Sequence, residues 1–118
     1  MNRALPFLLM FALACSRDEK PVAPAGDVER GRQLVAQYAC SVCHAIPGTQ
    51  GPQGRLGPAL AGVATRPTIS NGAVQNTPEN LRRFIINPQS LNPQSSMPPI
   101  HLPEPDARDI TAFLLTLR

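Results

Sequence analysis

Hydrophobic and polar positions divide the chain into a few patterned stretches and the unpatterned ones between them. Ala4 to Ala14 is an uninterrupted apolar run behind a single cation, Arg3. From Val28 the spacing turns helical: Val28, Gly31, Leu34, Val35 and Tyr38 share a face, and Asp27 stands where a carboxylate caps free N–H groups. Thr77-Pro78 marks a second helix start, because the hydroxyl caps and proline suits the first helical position. That helix, LRRFII, ends before Asn87-Pro88. Near the C-terminus Ile110, Phe113, Leu114 and Leu117 fall at i, i+3, i+4 and i+7 and predict a last helix from about Asp106. A short helix is expected after Pro58, through PALAGVA, giving about four short helices and an all-α fold. Gly31 is expected to let the first and last helices cross closely beside Phe113.

The stretches between lack such periodicity. Ser16 to Gly26 is small, polar and proline-containing and reads as a linker. Ala45 to Gly57 is punctuated by glycine and proline and reads as loop. Six prolines occur in the eighteen residues from Pro88 to Pro105, too many for a helix or a paired strand, so this segment is expected to be a stiff extended strap.

Length changes the picture little: 118 residues make one domain of the usual size, roughly 100–150 residues. The first apolar run is too short to span a bilayer, which takes about 20 residues, and behind Arg3 it reads as an export signal over residues 1–14. Ala14-Cys15 resembles the cleavage and acylation site of a bacterial lipoprotein signal, although Ala12 stands where such signals prefer leucine. Cleavage after Ala12-Leu13-Ala14 without acylation is the alternative. The organisation expected is therefore a signal peptide (1–14), a linker anchored by lipid on Cys15 (15–26) and a folded domain (27–118). The whole would sit at the periplasmic or other extracytoplasmic face of a membrane. No block of Lys and Arg interleaved with aromatics is present, which leaves nucleic acid out as a partner.

The segment following the first helix carries the chemistry. CSVCH places Cys40, Cys43 and His44 within five positions. A redox dithiol would want its cysteines at the start of a helix behind a strand, where the dipole lowers a thiol pKa; here they follow a helix. A zinc site would need Cys40, Cys43, His44 and His101 together, with two adjacent residues binding one small ion and no second cluster to help. Haem uses all three residues without strain. Two cysteines one helical turn apart reach the two vinyl groups on one edge of the macrocycle, and the next residue turns its imidazole to the iron. Beyond residue 14 the aromatics are only Tyr38, Phe84 and Phe113, so a buried prosthetic group would also supply missing core volume. Cysteine arithmetic agrees. An exported chain with three cysteines leaves one unpaired under any disulfide reading, whereas two on haem and one on lipid leave none.

With His44 on one side of the iron, the other side has few candidates. Beyond the signal, Met97 is the one methionine, His101 the one other imidazole and Lys20 the one lysine. Met97 lies in the proline strap, where fixed φ angles reduce the entropy lost on ordering a loop and favour a weak thioether bond; it is the expected axial ligand. His101 is read as a loop residue. Pro58 is expected to lean on the His44 side and fix the ring. Arg66 is placed either to reach a haem propionate or to remain solvated. Arg3 is the one charged residue before Cys15, so the formal net charge of +3 falls to +2 without residues 1–14, and two propionates would cancel that.

Together CSVCH, LGPAL, NTPENLRRFIINPQ, MPP and the terminal ITAFLL resemble a small class I c-type cytochrome, over about Asp27 to Arg118. Residues 62–99 are especially similar to the cytochrome c domain fused to subunit II of bacterial haem-copper oxidases. The resemblance implies four short helices around one covalent haem c, thioethers at Cys40 and Cys43, axial iron ligands His44 and Met97, and Asn76 with Thr77 in the stretch on the propionate side. Phe84 stands where such sequences often have a tryptophan, and Gln94 where glycine is common. There is no cluster of Cys, His and Met for a dinuclear copper centre, so the chain is not itself read as a subunit II. The function implied is one-electron transfer, without substrate chemistry, between redox proteins such as a dehydrogenase and a terminal oxidase. The alternative is a haem enzyme or gas sensor in which Met97 leaves the iron.

Overall fold

The computed structural model describes residues 25–118; the expectations for residues 1–14, for Cys15 and for most of the linker lie outside the described residues. Three α-helices form the scaffold: α1 (Val28–Gln37), α2 (Pro78–Ile86) and α3 (Glu104–Leu114). Each begins as its sequence dictates. The Asp27 carboxylate accepts from the Arg30 backbone N–H at 2.9 Å, and Thr77 Oγ1 accepts from that of Asn80 at 3.1 Å, each satisfying an N–H that has no partner inside the helix. α3 starts two residues earlier than its apolar stripe predicts. Pro105 sits inside its first turn, where a missing N–H costs nothing. Leu117 lies beyond the helix, and its carbonyl instead accepts from the Ala64 N–H at 3.0 Å.

α1 and α3 cross at Gly31. A Cβ there would fall 2.0 Å from the Asp109 carbonyl oxygen and 3.0 Å from Phe113 Cβ, so hydrogen is the only side chain the crossing admits. Polar contacts run along the same seam. Arg30 donates to Asp109 at 2.5 Å and to Asp106 at 2.6 Å, Tyr38 donates its hydroxyl proton to Asp106 at 2.6 Å, and the Asp27 N–H donates to Asp109 at 2.9 Å. Below it lies the apolar core, in which Val35, Ile46, Ile110 and Phe113 are each no more than 5 % exposed. α2 packs on α3 and adds Leu81 and Ile85.

Two expectations need correction. PALAGVA does not form an α-helix; the only regular turn there is a 3-10 turn over Val63–Thr65. The reason lies in its carbonyls and N–H groups, which are engaged elsewhere. Arg66 donates to the Ala59 and Ala61 carbonyl oxygens at 2.5 and 2.9 Å, the Leu60 N–H donates to Ala45, and Gly62 adopts a left-handed φ of 74°. The strap is likewise not extended throughout, for it opens with a 3-10 turn over Pro88–Ser90. An unexpected element is a small antiparallel hairpin, β1 (Thr68–Ile69) with β2 (Val74–Gln75), pairing Thr68 with Gln75 and Ile69 with Val74. At two residues a strand is too short to show alternation.

Candidate functional site

Behind α1 the chain reverses sharply. Ala39 takes a left-handed φ of 56°, which ends the helix and starts a 3-10 turn over Cys40–Val42. That turn closes with the His44 N–H donating to the Cys40 carbonyl at 3.0 Å. Cys40, Cys43 and His44 thereby reach one wall of a cavity of about 750 Å³, whose other walls include Leu81, Phe84 and Ile85 from α2 and Ile110 and Leu114 from α3. Met97 and Pro98 of the strap line the same cavity from the far side in sequence. The volume falls within the range of roughly 300–1,000 Å³ that holds small molecules and cofactors.

The geometry fixes the histidine. His44 Nδ1 lies 2.7 Å from the Pro58 carbonyl oxygen, and an oxygen of that kind only accepts, so Nδ1 carries the proton and Nε2 keeps its lone pair for a ligand. Gly57 backs the ring. A Cβ on Gly57 would fall 2.3 Å from His44 Cε1, so the imidazole fills space that any other residue would occupy. Two backbone hydrogen bonds, Gly54 N–H to the Ser41 carbonyl at 2.9 Å and Gly57 N–H to that of Cys43 at 2.8 Å, zip the cysteine turn to this second loop.

The thiols are half-buried and unbridged. Burial first, and then the neighbouring Cys43, push the Cys40 thiol up from its ordinary value, the opposite of what a nucleophilic dithiol requires. Among the described residues no group of three or more His, Cys, Asp or Glu is arranged to hold a metal ion by itself, so zinc has no cage here. An apolar cavity with two thiols and one oriented imidazole on a single wall fits a flat macrocycle attached along one edge.

Met97 is held through its backbone. Gln89 Nε2 donates to the carbonyl oxygens of both Ser95 and Met97 at 2.8 Å, fastening the strap to the 3-10 turn at its start. Gln89 carries no signal in the sequence, being one polar residue in a polar strap. Arg66 lines the cavity while its guanidinium engages the two carbonyls already described. Asn76 stands behind the wall and is absent from its lining; its Nδ2 donates to the Val63 and Arg66 carbonyls at 2.8 Å each, and its buried Oδ1 has no partner. Thus Asn76 braces the segment that presents Arg66. His101 is exposed, with a left-handed φ of 55°, and lies outside the cavity lining.

Comparison with known proteins shows the family of the chain. The cytochrome c family matches residues 28–118. The chain is 34 % identical over 110 residues to cytochrome c2 of Rhodopila globiformis, covering 81 % of this chain and 98 % of that protein. It is also 34 % identical over 90 residues to cytochrome c oxidase subunit 2 of Alkalihalophilus pseudofirmus, where the match takes in 75 % of this chain but only a quarter (25 %) of the subunit. Among solved structures, cytochrome c2 of Rhodobacter sphaeroides superposes with a TM-score of 0.60 at 20 % identity, covering 78 % of this chain and 96 % of that one. Cytochrome c2 of Paracoccus denitrificans gives 0.59 at 23 %, covering 77 % and 95 %.

Proposed function

Because the chain belongs to the cytochrome c family, whose cofactor is one covalently bound haem c, we propose that it is a one-electron carrier tethered to the outer face of a membrane. In this reading Cys40 and Cys43 would hold the haem by thioethers, and His44 and Met97 would ligate its iron. The haem, when bound, would supply one-electron redox chemistry. His44 presents Nε2 in a fixed direction, and donation from Nδ1 to Pro58 raises the basicity of that nitrogen. The strap keeps the Met97 thioether from wandering, since Gln89 and the flanking prolines leave it little freedom. Arg66, braced by Asn76, is the cation available to the propionate side.

The observation that carries the proposal is the His44–Pro58 contact beside two half-buried thiols, a constellation that orients one nitrogen toward a cavity. The similarity to cytochrome c2 of Rhodopila globiformis supports a carrier over an enzyme. The oxidase-subunit relative supports a terminal oxidase as acceptor, with a dehydrogenase as donor. Cys15, lipidated, would hold the domain at the extracytoplasmic surface through Ser16 to Gly26. Only eleven residues separate Cys15 from Asp27, and so short a tether would keep encounters with membrane partners nearly two-dimensional.

Acid–acetone extraction tests the assignment. The pigment should stay on the protein, which should carry one extra haem mass, and the ferrous protein should bind no carbon monoxide at neutral pH. Pigment released into the solvent would overturn the thioethers, and ready carbon monoxide binding would overturn Met97 ligation. Full-length protein should partition into detergent, and Cys15→Ser should move it to the aqueous phase with an unchanged spectrum; an aqueous wild type would remove the tether alone.

A further inference from the structure

Helices α2 and α3 border a second recess, on a different face of each helix from the one that lines the cavity. It is a groove of about 390 Å³ whose uncharged lining is Pro78, Thr111, Ala112 and Leu115. Thr111 donates its hydroxyl proton to the Ala107 carbonyl oxygen at 2.7 Å, so its polar group is already engaged inside α3.

The chain leads into this groove. The Asp27 N–H donates to Asp109 at 2.9 Å. One residue earlier, Gly26 lies so close to α3 that a Cβ would fall 2.7 Å from the Arg108 carbonyl oxygen and 2.9 Å from Ala112 Cβ. Ala25 then lines the groove itself. Three successive residues thus run from the seam across α3 to the recess, and it is there that the preceding chain joins the described residues. Counting back from Ala25, Pro24, Ala23, Val22 and Pro21 carry no charge, whereas Lys20, Glu19, Asp18 and Arg17 are all charged. The linker therefore divides into a half that water holds and a half that gains by leaving it. Pro21 and Pro24 have φ fixed by their rings and stand one polyproline turn apart, which leaves that half little freedom to lose on docking.

We infer that Pro21 to Pro24 seats in the groove between α2 and α3. A second copy's segment would have to compete with one already held at the groove's edge, whose effective concentration is far higher. The docking stands apart from the tether proposed above, but its consequence for orientation rests on that tether. With Cys15 anchored, only Ser16 to Lys20 would lie between membrane and groove, five residues that reach at most about 17 Å. The domain would then stand with its α2–α3 groove toward the lipid.

NMR relaxation and NOE measurements on the full-length ferrous holoprotein in nonionic detergent test the docking. Val22 and Ala23 should have order parameters of about 0.85, as rigid backbone does, whereas values below about 0.6 would overturn it. NOEs should connect the Val22 methyls with Ala112 and Leu115. Val22→Asn removes the apolar side chain and keeps both prolines; Ala23 should then fall below about 0.6 with the haem spectrum unchanged. An Ala23 as rigid as in the wild type would overturn the docking. So would NOEs that fade on dilution, which would assign the groove to a second copy, and NOEs from Ala112 to detergent chains beside a mobile Val22, which would assign it to lipid. On oriented bilayers the wild-type haem should show linear dichroism that Val22→Asn loses; equal dichroism in the two proteins would overturn the orienting role. An aqueous wild type with the Val22 NOEs intact would overturn the tether and support the docking.

Discussion

The seam between α1 and α3 and the loop wall of the cavity are built on opposite terms. At the seam the chain supplies everything: Gly31 lets backbone touch backbone, Phe113 and Leu34 fill the space, and Arg30 ties Asp106 and Asp109 to α1. At the loop wall the chain supplies half. The wall borders a cavity of about 750 Å³, and its loops are paired to one another by backbone bonds, Gly54 with Ser41, Gly57 with Cys43 and Leu60 with Ala45. The seam is an interface complete in the polypeptide, and the wall, on the function proposed, is an interface whose second partner would be the cofactor.

The largest effect that separates them is loss of that cofactor. Cys40→Ala or Cys43→Ala should leave little holoprotein. Without the cofactor an open cavity of about 750 Å³ leaves its apolar walls wet, exposure that a domain held together by roughly 5–15 kcal/mol tolerates poorly. Urea titration of the apo chain followed by circular dichroism should find no cooperative transition, and a cooperative apo fold would show the wall to be self-sufficient.

Gly31→Ala attacks the other side. The added methyl must displace backbone at Asp109, so α1 and α3 separate; overpacking of this kind costs about 2–3 kcal/mol. The haem spectrum should survive, since the cysteines and His44 lie beyond the end of α1. Thermal melting should drop while the spectrum at room temperature is retained. A Gly31→Ala protein as stable as wild type would mean the crossing is looser than its contacts.

The two regions also differ in how much of them the sequence revealed. Asp27, Thr77-Pro78 and the Ile110–Phe113–Leu114 stripe announce the helices, because helix starts and amphipathic faces are local properties of a few adjacent residues. CSVCH announces the cavity's reactive wall for the same reason. What local pattern misses is whatever depends on distant partners. Gln89 fastens Met97 from eight residues away, and Arg66 takes the Ala59 and Ala61 carbonyls that a helix through PALAGVA would have needed. Asn76 was legible as part of a family-like stretch, yet its own contacts are with backbone on two neighbouring turns rather than with the cavity.

A smaller effect distinguishes Met97 from its only rival. Met97→Ala should abolish the near-infrared band of ferric methionine-ligated haem, lower the reduction potential and admit carbon monoxide, with the helices unaffected by circular dichroism. His101→Ala should leave the spectrum as it was, since His101 lies outside the cavity. A wild-type ferric protein that lacks the band, with a spectrum that changes in His101→Ala and not in Met97→Ala, would exchange their roles.

The smallest expected effect concerns the acid sensitivity of the seam. The Tyr38 hydroxyl and then Arg30 hold the Asp106 carboxyl below its ordinary value, and the Asp27 N–H followed by Arg30 does the same for Asp109. A carboxylate depressed in the folded state contributes stability that is present above its unfolded pKa, about 3.9, and is lost as pH falls through the lower folded value. The seam should therefore hold at neutral pH and weaken below about pH 4. The comparison needs a variant that removes only the seam's share. Asp109→Asn keeps the shape, removes the titration and leaves Arg30 with Asp106. It should melt a few degrees lower than wild type at pH 7, and that difference should shrink toward pH 3, where the wild-type carboxylate is protonated too. A difference that stays constant across this range would place the acid sensitivity elsewhere in the molecule and leave the α1–α3 seam indifferent to charge.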